Sequence, residues 1–235
     1  MAIYTFKRTE LKYLITKEQY HTLLEEFEGK VALDQYGQTT IQSLYLDTPN
    51  SLLIRRSIEK PIYKEKIRIR SYGVAKPNQQ VFFELKKKYD KVVFKRRIQI
   101  TEEECFEWLQ TKSNKFDSQI SKEIDYFINF YEGIQPSLLL IYDRLAYTTC
   151  VSDLRITFDS NIRYRDYDLS LQKGLYGESI LDDNYLIMEI KSATAFPLWL
   201  VRILSKHKIY KTSFSKYGTA YKKILKEQGE QQHVV

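Results

Sequence analysis

Lysine and arginine recur at every second position in several stretches of this chain, and that spacing suits the chemistry of phosphate. Lys66, Arg68 and Arg70 alternate with Ile67 and Ile69, and Glu84 and Lys86 alternate with Phe83 and Leu85. Arg155, Thr157 and Asp159 alternate with Leu154, Ile156 and Phe158, while Glu189 and Lys191 flank Ile190. Side chains along a strand point to opposite faces with period two, so each stretch has one apolar and one ionic face. The ionic positions are mostly basic: Arg8, Lys12, Lys66, Arg68, Arg70, Lys86, Lys95, Arg97, Arg144, Arg155 and Lys191 stand against Glu10, Asp47, Glu84, Asp159 and Glu189. Like charges directly opposed across strands repel by a few tenths to ~1 kcal/mol per pair. A surface with no anion to hold would mix its signs better. Arginine also offers a planar fork that grips phosphate bidentately, which lysine does not. The pattern therefore points to a sheet curled around a positively charged channel that holds a polyanion. The alternation alone is equally that of an open antiparallel sheet with one solvated side. Inward cations cost several kcal/mol each in rough terms if dry and unpaired, so such a channel must be wet or filled by an anion.

The elements that must position these residues follow from periodicity and punctuation. Strands are expected at roughly 4–15, 39–47, 62–72, 79–88, 92–100, 138–149, 154–163 and 185–192. The breaks at Lys76-Pro77-Asn78 and Tyr89-Asp90-Lys91 make the third, fourth and fifth an antiparallel meander. Thr16 with Gln19, and Thr101 with Glu104, have the spacing of capping boxes opening helices at 17–29 and 102–112. A helix over 119–132 would bury Ile120, Ile124, Phe127, Ile128 and Tyr131, and two more cover 196–207 and 214–228, the last ending near Gly229. The stretch 164–184, rich in Tyr, Asp and Gly, reads as a mobile loop. Antiparallel strands plus amphipathic helices make an α+β fold, with helices covering the apolar strand faces.

The 235 residues suit one sizeable domain, and 43% hydrophobic content is enough for a core. A net charge of +7 favours an anionic partner. Two cysteines, Cys105 and Cys150, and three scattered histidines leave no basis for a zinc site or a disulfide framework. No signal peptide or membrane-length apolar run is visible, so a cytoplasmic setting is the expectation.

Taken in order, Arg8-Thr9-Glu10-Leu11-Lys12-Tyr13, Ser43-Leu44-Tyr45-Leu46-Asp47, Lys66-Ile67-Arg68-Ile69-Arg70, Phe83-Glu84-Leu85-Lys86, Lys95-Arg96-Arg97, Asp143-Arg144, Glu189-Ile190-Lys191 and Ser215-Lys216-Tyr217 form a set that resembles the VTC domain. That is the catalytic domain of the vacuolar transporter chaperone polyphosphate polymerase, one of the triphosphate tunnel metalloenzymes or CYTH-like superfamily. No single motif is specific; the ordered set is. The resemblance implies a single domain over residues 1–235, an eight-stranded antiparallel β-barrel tunnel with helices packed outside. It implies catalytic roles for Lys12, Arg68, Arg70 and Glu189. It implies phosphate contacts for Arg8, Lys66, Lys86, Lys95, Arg97, Arg144, Arg155, Lys191, Ser215 and Lys216. It implies Mg²⁺ or Mn²⁺ on Glu189, with Glu10 a second ligand or a partner of a wall arginine. Ser215 and Lys216 have a physical reason of their own, since a helix N-terminus attracts anions. They also read as an ordinary N-cap and one end of a solvated lysine face with Lys222, Lys223 and Lys226.

One departure matters. Hydrolytic tunnel enzymes open with Glu-x-Glu-x-Lys, whereas here Arg8 takes the first position and only Glu10 and Lys12 remain. That moves the chain toward the polymerase branch: phosphoryl transfer from a nucleoside triphosphate, ATP foremost, to an inorganic polyphosphate chain. The competing readings are a metal-dependent triphosphatase, with Tyr45, Glu10 and Glu84 positioning water, and a non-catalytic polyphosphate sensor. Nucleic-acid binding is disfavoured because many of the 19 Tyr and 12 Phe alternate into apolar faces. The chain opens directly on its first strand, so neither the SPX regulatory domain nor the membrane helices of the eukaryotic complex is expected in it. No direct membrane insertion is expected, and a membrane-protein partner would supply any transport.

Overall fold

The structure, a computed structural model, describes residues 9–90, 92–149 and 153–232. It is α+β, with antiparallel strand pairing throughout the registers below. Eight long strands are present: β1 (Thr9–Thr16), β3 (Thr39–Asp47), β4 (Tyr63–Tyr72), β5 (Gln80–Tyr89), β6 (Val92–Thr101), β7 (Gln135–Thr148), β8 (Arg155–Arg165) and β10 (Tyr185–Ser192). They match the eight expected stretches to within a few residues, except that the expected positions 4–8 lie outside the described residues. Three two-residue strands are added: β2 (Ala32–Leu33), β9 (Glu178–Ser179) and β11 (Lys211–Thr212). The helices are α1 (Lys17–Glu26), α2 (Leu52–Ile58), α3 (Glu102–Thr111), α4 (Gln119–Phe130), α5 (Leu198–Lys206) and α6 (Lys216–Gln232). Among the described residues, no helix is long and apolar enough to cross a membrane.

The chain forms two compact units. The first comprises the described residues of Met1–Thr40, Tyr142–Ile162 and Ser179–Ser215; the second, those of Ile41–Ile141, Arg163–Glu178 and Lys216–Val235. In the first unit the strands run β11-β1-β10-β8, followed by the later half of β7, on which β2 also pairs. Tyr13 faces Met188 and Leu11 faces Ile190, and these join Phe27, Ile156, Phe158, Leu200 and Leu204 in one apolar core beside α1 and α5. In the second unit the order is the early half of β7, then β3-β4-β5-β6. Ile67, Ile69, Phe83, Leu85 and Ile100 pack with Trp108 of α3 and with Ile124, Phe127 and Ile128 of α4.

Local chemistry explains the element ends. Both expected capping boxes are formed: Thr16 Oγ1 accepts from Gln19 N at 3.1 Å, and Thr101 Oγ1 accepts from Glu104 N at 3.1 Å, each with the reciprocal bond. The sequence missed α2. Its residue Ser51 sits in the left-handed region and makes no cap with its side chain. The cap comes instead from Asp47 at the end of β3, whose carboxylate accepts from the backbone N–H of Thr48, Leu53 and Ile54 at 2.8, 2.9 and 3.0 Å. Asp47 is fully buried and also accepts from Tyr217 Oη at 3.0 Å. Its charge is thus committed to a helix N-terminus, where backbone dipoles favour it, and does not balance the cations of the ionic face. Asp47→Ala should cost about 3 kcal/mol, one lost cap plus the loss of the shorter bond of the buried Tyr217 hydroxyl, which keeps only Ser137 Oγ at 3.4 Å. Urea denaturation would show it as a lower midpoint at unchanged slope.

Two expectations are corrected. α6 does not end at Gly229 but continues to Gln232; a helical glycine costs about 1 kcal/mol relative to alanine, which weakens a helix without stopping it. The stretch beginning at 164 is not a loose loop. β8 continues to Arg165, whose buried guanidinium donates to the carbonyls of Asp168, Ser170, Gly174 and Tyr176 at 2.7–3.2 Å. Glu102 accepts from Leu171 N at 2.7 Å, and Gln42 donates to Leu171 O at 2.8 Å. Gly177 is required there: at φ +159 its backbone lies so near Tyr164 that a Cβ would sit 2.6 Å from the Tyr164 carbonyl oxygen.

Candidate functional site

The strand register sorts the second unit's charged residues into rows. Tyr45 faces Arg68, Arg68 faces Glu84, and Glu84 faces Arg97, a row across four strands. One step along, Lys66 faces Lys86 and Lys86 faces Lys95. One step the other way, Ser43 faces Arg70 and Arg70 faces Phe82. Because β4 buries its odd-numbered residues, Lys66, Arg68 and Arg70 share the opposite, partly exposed face.

Glu84 is the hub of this face. It accepts from Arg68 Nε at 2.7 Å, Arg68 Nη2 lies at 2.7 Å and Arg70 Nε at 3.8 Å. Burial alone would raise the Glu84 carboxyl, but Arg68, Arg70 and Arg97 outweigh it and hold the group below its ordinary value. Arg68 also donates to Tyr45 Oη at 3.2 Å, and Arg70 Nε donates to Ser43 Oγ at 3.4 Å. The Tyr45 ring stacks on Tyr217 of α6 with centroids 4.2 Å apart, and Lys66 Nζ lies 5.6 Å over the Tyr217 ring. Lys216 is the first residue of α6 and Ser215 the residue before it. Lys95 and Arg97 are exposed, Arg97 lying 4.8 Å over the Phe82 ring.

The two tyrosines have opposite acidities. Burial pushes Tyr217 up, and the Asp47 carboxylate adds to that. Burial pushes Tyr45 up too, but Arg68, Lys66 and Arg70 win and bring its phenol down to about 8. A group with a depressed folded pKa contributes stability that is fully present above its unfolded pKa and is lost as pH falls through the folded value. Tyr45 ionisation should therefore stabilise the ligand-free protein progressively as pH rises from about 8 toward 10.0. Tyr45→Phe should lack this gain, so the difference in urea midpoint between wild type and variant should widen across that range.

In the first unit the ionic face carries a second cluster. Lys12 faces Glu189, Glu189 faces Thr157, Glu10 faces Lys191 and Lys191 faces Arg155. Glu189, 7% exposed, lies 3.1 Å from Lys12 Nζ and 2.9 Å from Lys191 Nζ. Glu10 is held more loosely by the same two lysines, at 3.9 and 3.8 Å. Arg144 makes a two-pronged bond to the fully buried Asp159, at 2.6 and 2.7 Å. Burial opposes the Arg144 charge, but Tyr142 and Asp159 more than compensate and push its pKa up. Arg155 pairs with Asp34 at 3.0 Å and keeps 48% of its side chain exposed. Arg8 lies outside the described residues.

The donors available for a divalent cation are oxygens. Glu189 and Glu10 converge on the same two lysines, and Thr157 Oγ1, buried in register with Glu189, has no hydrogen-bond partner. Two carboxylates and an orphaned hydroxyl suit Mg²⁺ or Mn²⁺, hard ions that complete their coordination with water and substrate phosphate. Among the described residues no group of three or more His, Cys, Asp or Glu could hold a metal unaided, so the set fits a metal that shares ligands with a phosphate.

Lys12, Lys191, Glu189 and Glu10 are thus brought together in one unit, and Arg68, Arg70, Lys66, Lys86, Lys95 and Arg97 in the other. The Tyr45–Tyr217 stack and the orphaned Thr157 hydroxyl went unremarked in the sequence. Tyr217 directly follows the Ser215-Lys216 pair and Thr157 stands in an alternating run, but nothing local marks either as special.

Comparison with known proteins agrees with this architecture. The VTC domain family matches residues 7–225. No curated protein matches the chain by sequence. A solved structure of a putative adenylate cyclase from Bacillus halodurans is similar with a TM-score of 0.55 at 14% identity, covering 89% of this chain and 95% of that one. PH1819 protein from Pyrococcus horikoshii OT3 has a TM-score of 0.51 at 16% identity, covering 92% of this chain and 99% of that one. At such identities the likeness establishes the fold alone; the family match over almost the whole chain shows that this protein belongs to the VTC domain family.

Proposed function

We propose that this protein is a metal-dependent phosphotransferase that extends inorganic polyphosphate from ATP, a polyphosphate kinase type of reaction. The observation that carries this reading is the cation rows of the second unit, above all Lys66, Lys86 and Lys95 in direct register across three strands. Directly opposed like charges repel across strands, and Arg68 and Arg70 on the same face add planar forks suited to phosphate. A phosphate chain lying along the rows would relieve that repulsion. In this reading the ionic faces are walls of the tunnel that the family implies, and residues 1–235 act as one catalytic domain.

The γ-phosphoryl group of ATP moves to the terminal oxygen of the chain: the bond from the γ-phosphorus to its bridging oxygen breaks, ADP leaves, and a new P–O–P bond forms. Positioning and charge neutralisation are the main demands of such a transfer. Arg68 and Arg70 clamp phosphate oxygens, with Lys66, Lys86, Lys95 and Arg97 along the same face. Lys12, Lys191, Arg144 and Arg155 offer phosphate contacts on the ionic face of the first unit, and Ser215 and Lys216 offer a helix start. Glu189 and Glu10, with Thr157, would hold Mg²⁺ or Mn²⁺. When bound, that ion would supply positive charge to offset the negative charge of the phosphates. No general base is needed, because the acceptor is already an ionised phosphate.

Incubating the purified protein with ATP, Mg²⁺ or Mn²⁺ and a short phosphate primer tests the reading. Long phosphate polymers with stoichiometric ADP support it. Orthophosphate without polymer would instead identify a triphosphatase. Tight triphosphate binding with no turnover under any metal would identify a sensor.

A further inference from the structure

The ionic face of the second unit changes character along its strands. At one end Lys66, Lys86 and Lys95 lie in register across β4, β5 and β6, and in the middle lie Arg68, Glu84 and Arg97. At the other end the face turns aromatic. Arg70 faces Phe82, Phe82 faces Gln99, and Tyr72, next after Arg70 on this face of β4, faces the buried Ile41 of β3. Tyr72 and Phe82 stand at even positions of β4 and β5, the positions that carry the cations, so neither belongs to the core beneath the helices. Their rings meet edge to face with centroids 5.9 Å apart, and Tyr72 is 48% exposed. Gln80 and Gln99, which flank Phe82 on this face, are exposed, and the Arg97 guanidinium lies over the Phe82 ring.

A phosphate chain has no use for this end. It is charged along its whole length, and the negative face of an aromatic ring repels it. A ligand that lies along this face from end to end must be anionic over the arginines and flat and neutral over the rings. A nucleoside triphosphate has that construction.

We propose that Tyr72 and Phe82 form the platform for the base of a nucleoside triphosphate whose phosphates lie on Arg70 and Arg68. This rests on the phosphotransferase reading of the same face and adds to it the direction in which the donor lies: base at the aromatic end, γ-phosphate toward the lysine row, where the acceptor chain begins. The spacing fits. Arg68 and Tyr72 are four residues apart on one strand, roughly 13 Å at ~3.4 Å per residue, about the span from the γ-phosphorus of an extended nucleoside triphosphate to its base. An edge-to-face pair engages one ring's edge and the other's face, so flat surface remains for a stacked base. The Arg97 guanidinium is a second flat surface, and its charge meets the phosphate end of the same ligand. The amides of Gln80 and Gln99 both donate and accept, as the polar edge of a base requires.

Isothermal titration of the full chain with ATP and with methyl triphosphate tests this, both in EDTA so that no metal-dependent turnover occurs. Methyl triphosphate is the same esterified triphosphate without the nucleoside. The wild type should bind ATP at least ~10-fold more tightly, the worth of one stacked base. Tyr72→Ala and Phe82→Leu should each lose several-fold of that preference, and the double variant nearly all of it, while affinity for methyl triphosphate and the melting temperature change little. The triphosphate of 2-aminopurine riboside, whose fluorescence is quenched by stacking, should darken on saturating the wild type and stay bright on saturating the double variant. Equal affinity of the wild type for ATP and methyl triphosphate overturns the platform and leaves the phosphate reading of the face standing. So does a preference for ATP that survives both substitutions. No binding of either ligand overturns both.

Discussion

Glu189→Gln should leave triphosphate bound and abolish turnover. The substitution keeps the volume of the side chain and removes its charge. Lys12 and Lys191, at 3.1 and 2.9 Å, lose their shared carboxylate and turn their positive charge toward any anion present. Triphosphate affinity should therefore hold or rise. Turnover should fall by roughly 10²–10³-fold or more, the scale seen when a group that organises charge in the transition state is lost. The ligand-free variant should also be less stable, because one partner of a nearly buried ion cluster is gone, a change worth about 3 kcal/mol. Isothermal titration with tripolyphosphate and a polymer assay on the same preparation separate the two effects. Full activity in Glu189→Gln would remove this carboxylate from the chemistry.

Arg68→Ala should weaken binding and turnover together. Arg68 holds Glu84 through two nitrogens at 2.7 Å and donates to Tyr45, so it is both a candidate clamp and the organiser of its row. Losing one charge-assisted clamp should cost at least ~10-fold in triphosphate affinity. Glu84 would remain with Arg70 at 3.8 Å, a weaker pair, and its negative charge would then repel the ligand. Melting curves report the same loss. At a concentration ~100 times its dissociation constant, triphosphate should stabilise the wild type by roughly 2.7 kcal/mol. Arg68→Ala at the same concentration should gain far less. Sulfate at matched ionic strength should do little to either. Equal stabilisation by sulfate and triphosphate would mean a nonspecific basic surface.

The alternation in 66–70, 83–86 and 189–191 is a local property, so the strands and the division into ionic and apolar faces were legible in the sequence. Capping boxes at Thr16 and Thr101 were legible for the same reason: the donor and acceptor lie three residues apart. The candidate cations within each strand do share a face, because period two puts them there. What pairs with what was not legible. Lys12 meets Glu189, and Arg144 meets Asp159, only after strands distant in sequence align. The register that makes three lysines confront one another, or drops Glu84 between Arg68 and Arg97, is set by hydrogen bonding between strands, not within them.

Three further features needed tertiary structure. Helix α2 is seven residues long with no side-chain cap of its own at Ser51, so its start depends on Asp47 arriving from the preceding strand. The stretch after β8 is rich in loop-forming residues, yet Arg165 gathers its carbonyls once they are folded around it. Reading the aromatics as core residues holds for Phe83 and Phe127 but not for Tyr63, Tyr89, Phe94, Tyr126 and Phe130. Hydrophobicity states what a side chain would gain by burial; whether a helix or a neighbouring strand is there to bury it is decided by where the elements end. The sequence by itself determined the family, the strands and the basic character of one strand face. The tertiary structure decided which charges are neutralised by partners, which phenol is acidified, and which aromatic rings are left at the surface, because each of these depends on distances between residues far apart in the chain.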